Sequence, residues 1–164
     1  MQQPSLHNPE NLREIHRPIA SVVIISADNK ILMGRKDPGK GGVYPDAWHI
    51  PGGGIDEGET LEQAARREAL EEVGVDLSDT PMRLLPFVDK GESPKMLSSG
   101  EKVWCNMVFN RFEARLSQPA QVIQVSPNDD LVELRWFDEA ELKAVELVPG
   151  GREFFIAAGY IAAG

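Results

Sequence analysis

The sequence predicts an α/β fold of the α+β kind, an α/β/α sandwich in which a central mixed β-sheet lies between helices. Three observations predict it. A β-branched run, Ile19 to Ser26, is followed after a three-residue break by a second short run, Lys30 to Gly34. A segment free of Pro and Gly, Leu61 to Val73, separates these early strands from later ones. An alternating stretch and a strand–helix unit then complete the chain, and elements so mixed must bury their apolar faces in layers. At 164 residues the chain suits one domain with a sizeable core.

Taken in order, Met1 to Arg17 reads as an N-terminal extension and residues 18–164 as the single domain. Asn8 and Pro9 are suited to begin a short helix over Asn8–His16, with proline at its first position. Ala27, Asp28 and Asn29 supply turn chemistry, so the first two runs should form a hairpin. Arg35 and Lys36 close its second strand. Asp37 to Asp46 is rich in Gly and Pro and long for a connection, which makes it a candidate pocket wall or lid. Trp48 to Gly52 reads as a short strand broken by Pro51.

Thr60 and Gln63 form a capping box ahead of the Leu61–Val73 helix, and Gly74 is a natural left-handed stop. After a turn at Asp76 to Pro81, Arg83 to Val88 should be a strand and Asp89 to Gly100 a polar loop. Lys102 to Ala114 places Val103, Cys105, Met107 and Phe109 on one face, the alternation of a central strand. Cys105 fits that face as a core residue. Ser117 to Asp130 reads as a loop, Glu133 to Phe137 as a last strand, and Asp138 to Val148 as a helix with Asp138 at its N-cap. Phe154 to Ile161 suits one more helix, buried in the core or in a homodimer contact.

Composition narrows the function classes. A hydrophobic fraction of 41% with 26% charged residues is ordinary for a globular chain. The net charge of -9 argues against binding a nucleic-acid polymer or an anionic membrane, both of which need basic surface. The longest apolar run, Ile19 to Ile25, is too short to span a bilayer, and the polar start of the chain shows no signal peptide. With Cys105 the only cysteine, no internal disulfide can form, and a reducing cytoplasm is the expected compartment. His7 and His16 have no companion at metal-ligand spacing.

The chemistry is concentrated between Gly53 and Val75. On the Leu61–Val73 helix, Glu68 lies three residues from Glu71 and four from Glu72, so their side chains share a face. Like charges so placed repel, and a hard divalent cation, which takes oxygen ligands and substrate phosphates, would offset the repulsion. A solvated acidic face would account for Glu71 and Glu72 alone, but not for the glycine loop and cap in front of them. Glycines there let backbone approach the same ion.

The whole stretch resembles the Nudix box, G-x5-E-x7-R-E-U-x-E-E-x-G-U, in which U is a bulky aliphatic residue. Gly53, Glu59, Arg67, Glu68, Glu71, Glu72, Gly74 and Val75 all fall in register; Ala69 stands where a larger aliphatic is usual. The resemblance implies a Nudix-type sandwich and Mg2+-dependent (or Mn2+-dependent) hydrolysis of a nucleoside diphosphate linked to another moiety. Gly53, Glu68, Glu71 and Glu72 would be the metal ligands, with Glu59 and Arg67 as structural support. The base would be a box glutamate or a later acidic residue, for which Asp130, six residues before Trp136, is the candidate. Arg35 is suited to fork onto phosphate oxygens, and Lys36 and His49 are further substrate-binding candidates. By elimination among family motifs, nucleoside triphosphates are the default substrate, ahead of nucleotide sugars and ADP-ribose-type compounds. A non-catalytic nucleotide-binding module is the alternative, and such modules often lose box glutamates that this chain keeps.

Overall fold

Twelve residues, Glu14–Ile25, form β1, the strand around which the sheet is built. The structure is a computed structural model and describes residues 7–36, 46–128 and 131–163. After β1 come β2 (Ile31–Lys36), β3 (Trp48–His49), β4 (Gly52–Gly54), helix α1 (Leu61–Val73), β5 (Met82–Met96), β6 (Lys102–Arg115), β7 (Leu131–Phe137), and the short helices α2 (Glu139–Ala144) and α3 (Gly151–Ala157). One mixed sheet runs β3-β2-β1-β6-β5, with β4 paired to β1 and β7 to β2. The β1–β6 pairing is parallel from Glu14–Trp104 to Ile25–Arg115, and the other pairs are antiparallel.

Alternation along β1 explains the layers, because successive side chains leave a strand on opposite faces. Ala20, Val22 and Ile24 join one buried cluster with Ala64, Ala65, Ala69 and Val73 of α1. Val23 and Ile25 join another with Leu142 of α2 and Phe154 and Phe155 of α3. The sheet is therefore covered by helices on both faces, as the sequence predicts. Phe154 and Phe155 are spent on this intramolecular core. Ala69 is fully buried against the sheet, while its neighbour Leu70 is exposed. The small residue at that point of the box lets α1 lie close to β1.

Helix α1 starts and stops as its sequence dictates. The Thr60 hydroxyl accepts from the Gln63 amide at 3.1 Å, and Gln63 Oε1 accepts from the Thr60 amide at 2.9 Å. Gly74 ends the helix with φ 73°, and its amide bonds back to the Leu70 carbonyl. Asp138 caps α2 through a matching pair of bonds with Glu141.

Two expectations are corrected. The helix over Asn8–His16 does not form: the Asn8 side chain closes a turn, accepting from the Leu12 amide at 2.9 Å and donating to the Leu12 carbonyl at 2.8 Å. Such local bonds compete with a helix, and Glu14 to Arg17 are already paired with β6. The polar stretch Asp89 to Gly100 is a strand as far as Met96, laddered on β6, and only a tight connection remains at 97–101. Gly91 and Pro94 obscured it. At the sheet edge a proline can sit with its nitrogen turned from its neighbour, and a Cβ on Gly91 would lie 2.8 Å from the Phe109 ring.

Gly52 is held between strands with no room for a side chain: a Cβ there would lie 2.4 Å from Ser21 Cβ and 2.8 Å from the Ala20 carbonyl oxygen. Gly52→Ala should cost about 1–3 kcal/mol through forced separation of β4 from β1, seen as a lowered Tm. An unchanged melt would mean that the strands yield freely.

Candidate active site

The glycine strand β4 brings the loop before α1 back against the helix. Glu72, on the last turn of α1, is only 7% exposed, and its Oε1 accepts from the Gly52 amide at 2.8 Å. Burial pushes the Glu72 carboxyl up to about 8; the neighbouring Glu68 carboxylate adds to the effect, while the Gly52 amide and the Lys36 ammonium oppose it. Glu68 is itself largely buried, and its carboxylate lies so close to Gly53 that a Cβ there would be 2.5 Å from Oε1. Glycine at position 53 is therefore a steric requirement of the Glu68 position.

Arg67 ties these parts together. Its guanidinium donates to both Glu59 oxygens at 2.8 and 2.9 Å, to the Gly54 carbonyl at 3.0 Å, to Glu68 at 3.0 Å and to Glu71 at 3.2 Å. Asp56 lies 3.3 Å away. The hydrogen bond from Arg67 holds the Glu59 carboxyl below the usual range, and Glu59 in turn raises the guanidinium. Glu59 also accepts from the Asp56 amide at 2.8 Å, so the loop is clamped at both ends.

The box glutamates do not all converge. Glu68 and Glu72 approach one another, whereas Glu71 is half exposed and turned to Arg67. Among the described residues no three His, Cys, Asp or Glu side chains gather closely enough to enclose an ion. The paired carboxylates nevertheless suit a hard cation. They are buried together, so that Glu72 keeps a proton beside Glu68 unless a cation takes its place, and oxygen donors are what such ions take.

Glu72 lines a cavity of about 1060 Å³ together with Lys36, His49 and Gly52. Lys36 and His49, two of the substrate-contact candidates, thus line the same cavity as Glu72. Arg35 does not: it forks onto Glu133 at 3.0 and 3.2 Å, lies 3.7 Å from Asp46 and packs over Trp48. The pairing of β2 with β7 sets Glu133 directly opposite Arg35, a long-range neighbour that a local reading of Arg35 cannot see. Asp130 and most of the Asp37–Asp46 loop lie outside the described residues.

The far wall of the cavity went unread. Asp89 on β5, Phe109 and Arg111 on β6, and Phe154 on α3 all line it. A signal was present, since Arg111 continues the Val103, Cys105, Met107, Phe109 alternation and puts a guanidinium on an otherwise apolar face.

Comparison with known proteins agrees with this fold. The NUDIX domain family model matches residues 15–157, and the chain belongs to that family. It is 47% identical over 60 residues to an RNA pyrophosphohydrolase of Caulobacter vibrioides, 37% of this chain but only 33% of that protein. An RNA pyrophosphohydrolase of Erythrobacter litoralis is 30% identical over 156 residues, 90% of each chain. The solved structure of the E. coli dihydroneopterin triphosphate pyrophosphohydrolase shares the fold, with TM-score 0.65 at 21% identity over 87% of this chain and 96% of that one. No helix is long and apolar enough among the described residues to cross a membrane.

A carboxyl raised on folding binds its proton in the native state when the unfolded chain has lost it, so stability falls as pH rises. For Glu72 that window runs from the ordinary 4.5 to about 8. Without divalent metal, the wild-type Tm should drop across this range. Glu72→Gln, which keeps an acceptor for the Gly52 amide, should flatten the slope and melt a few degrees higher at pH 8. Identical pH profiles for the two proteins would show that Glu72 is not protonated by its surroundings.

Proposed function

We propose that this chain is a metal-dependent pyrophosphohydrolase that cleaves the diphosphate of a nucleoside triphosphate. The observation that carries the reading is the buried Glu68–Glu72 pair, set by Gly52 and Gly53 at the edge of a cavity that also holds Lys36. Two carboxyl groups kept from water need a proton or a cation between them, and a polyphosphate can approach them only with the cation.

Glu68, Glu72 and the Gly53 backbone would hold Mg2+ or Mn2+, whose chemistry there is to neutralise the polyphosphate and to make a water acidic enough to attack it. Arg67 keeps Glu68 and the loop at fixed separation, so the ligands need little rearrangement. Lys36 offsets phosphate charge from within the cavity, and His49 shapes the wall beside it. Arg35 would join the phosphate only by leaving Glu133. Water adds to phosphorus as the bridging P–O bond breaks, giving a nucleoside monophosphate and pyrophosphate. The proton released passes to a carboxylate, Glu71 or Asp130. The single, buried Cys105 supports a reducing cytoplasm as the compartment.

A second substrate has its own support. The Caulobacter and Erythrobacter relatives carry the name RNA pyrophosphohydrolase, which favours the triphosphate end of an RNA. Against it stands the net charge of -9, which leaves little attraction for a polymer. Nucleoside triphosphates, nucleotide sugars, ADP-ribose and a 5′-triphosphorylated oligonucleotide, each tested with Mg2+ and with Mn2+ and read by product mass, separate these substrates.

Glu72→Gln should lower metal-dependent turnover by about a hundredfold or more, the scale of losing one charge-stabilising group, with the fold intact by circular dichroism. Full activity in that variant would remove the metal role. Asp130→Asn should slow kcat without altering KM if Asp130 takes the proton. Wild-type rates at every pH would leave the role to Glu71.

A further inference from the structure

The cavity has a polar pair that neither the box nor the phosphate chemistry uses. Arg111, 9% exposed, donates to Asp89 Oδ1 at 2.8 Å. Its guanidinium carbon lies 4.2 Å from the Phe154 ring centroid and 5.3 Å from that of Phe109. Asp89 keeps 38% of its side chain accessible. The rings hold the guanidinium in place, and the accessible Asp89 carboxylate is the open edge of the pair in the cavity, where a planar, hydrogen-bonding ring can meet it.

The sheet register sets how far this pair stands from the glutamates. Gly52, Ser21 and Arg111 occupy one row across β4, β1 and β6, and Gly54, Ile19, Phe109 and Asp89 occupy the next row across β4, β1, β6 and β5. Two strand spacings put Arg111 roughly 10 Å from Gly52, whose amide holds Glu72. That is the scale of the distance between a nucleobase and its own diphosphate. A nucleotide with its phosphates at Glu68 and Glu72 would therefore carry its base to Phe109, Phe154, Asp89 and Arg111.

Resting on the nucleotide-hydrolase reading above, we propose that the Asp89–Arg111 pair, walled by Phe109 and Phe154, is the nucleobase subsite and selects a guanine-type edge. A carboxylate can only accept and a guanidinium can only donate. Side by side they complement the guanine edge, where the O6 acceptor adjoins the N1–H and N2–H donors. Adenine offers the reverse order, an amino donor beside the N1 acceptor, and would set its lone pair against Asp89. Phe109 and Phe154 hold the guanidinium rather than the base, and Phe154 is buried, so the discrimination falls on Asp89.

The test uses the full chain and the α,β-methylene diphosphates of guanosine, inosine and adenosine, whose P–C–P link resists hydrolysis, with binding measured by calorimetry. The wild type should bind the guanosine compound about tenfold or more tightly than the adenosine one, as expected of a paired readout, with inosine between them because it lacks the N2 amino group. Asp89→Asn, which can still accept from Arg111 while turning an amide donor toward the base, should bring the guanine-to-adenine ratio to about one or invert it. A role for Asp89 in holding Arg111 alone would leave that ratio where it was. Equal wild-type affinities, no binding of either compound, or a guanine preference that survives in Asp89→Asn would overturn the proposal. The inosine comparison needs no variant and decides the matter should Asp89→Asn fail to fold. Guanine-selective binding by a chain that hydrolyses no nucleotide would defeat the enzymatic reading alone, and hydrolysis indifferent to the base would defeat the subsite alone.

Discussion

One guanidinium organises the glycine loop and helix α1 of this molecule. Arg67 reaches back from α1 to Glu59 and the Gly54 carbonyl and sideways to Glu68 and Glu71, so loop and helix cannot move apart without breaking several charge-assisted bonds together. Such bonds are stronger than neutral ones, and the planar fork allows one side chain to satisfy acceptors from both segments. Without it, the repulsion between Glu68 and its neighbours would be relieved by letting the loop drift. With it, Glu68 and Glu72 stay close enough that a proton on Glu72 or a cation must lie between them.

The glycines give this clamp something to act on. Gly52 has no room for a Cβ against β1, and at Gly53 a Cβ would push the Glu68 carboxylate aside. The Gly52 amide therefore meets the Glu72 carboxylate within the sheet-bound backbone itself. A strand, a helix and a loop each contribute one rigid edge, and the two least exposed box carboxylates, Glu68 and Glu72, are confined between them. Ala69 belongs to the same logic, because its small side chain sets how near α1 comes to β1.

How much of this was legible follows the range of the interactions. The capping box of Thr60 and Gln63, the Gly74 stop and the Asp138 cap are local, and all three stand where the residues say. The Arg67–Glu59 pair spans only eight positions and was accessible through the box spacing. Arg35 is the counter-example: its basic character and strand-end position were read correctly, but its partner Glu133 arrives from 98 residues away through a pairing that no local pattern encodes. Gly91 and Pro94 made β5 look like a loop, since they suit a sheet edge for reasons that only the sheet reveals. Asn8 misled in the opposite direction, offering a helix cap while its side chain closes a turn. The aromatic wall was missed because Phe154 and Phe109 each had an adequate explanation as core.

That wall has one further consequence. Phe154 and Arg111 meet across α3 and β6, and two residues along β6 the Tyr160 hydroxyl donates to the buried Glu113, which Arg83 and Arg115 also hold. The cavity is thus bounded on one side by Phe154, which leaves the ribosome about a hundred positions after the glycine loop. A partly synthesised chain, or one clipped before this latch, could carry every box glutamate and still lack a chamber in which to use them. The chamber is in that sense a late property of the chain, reached only when α3 has closed on the strands that follow the glycine loop.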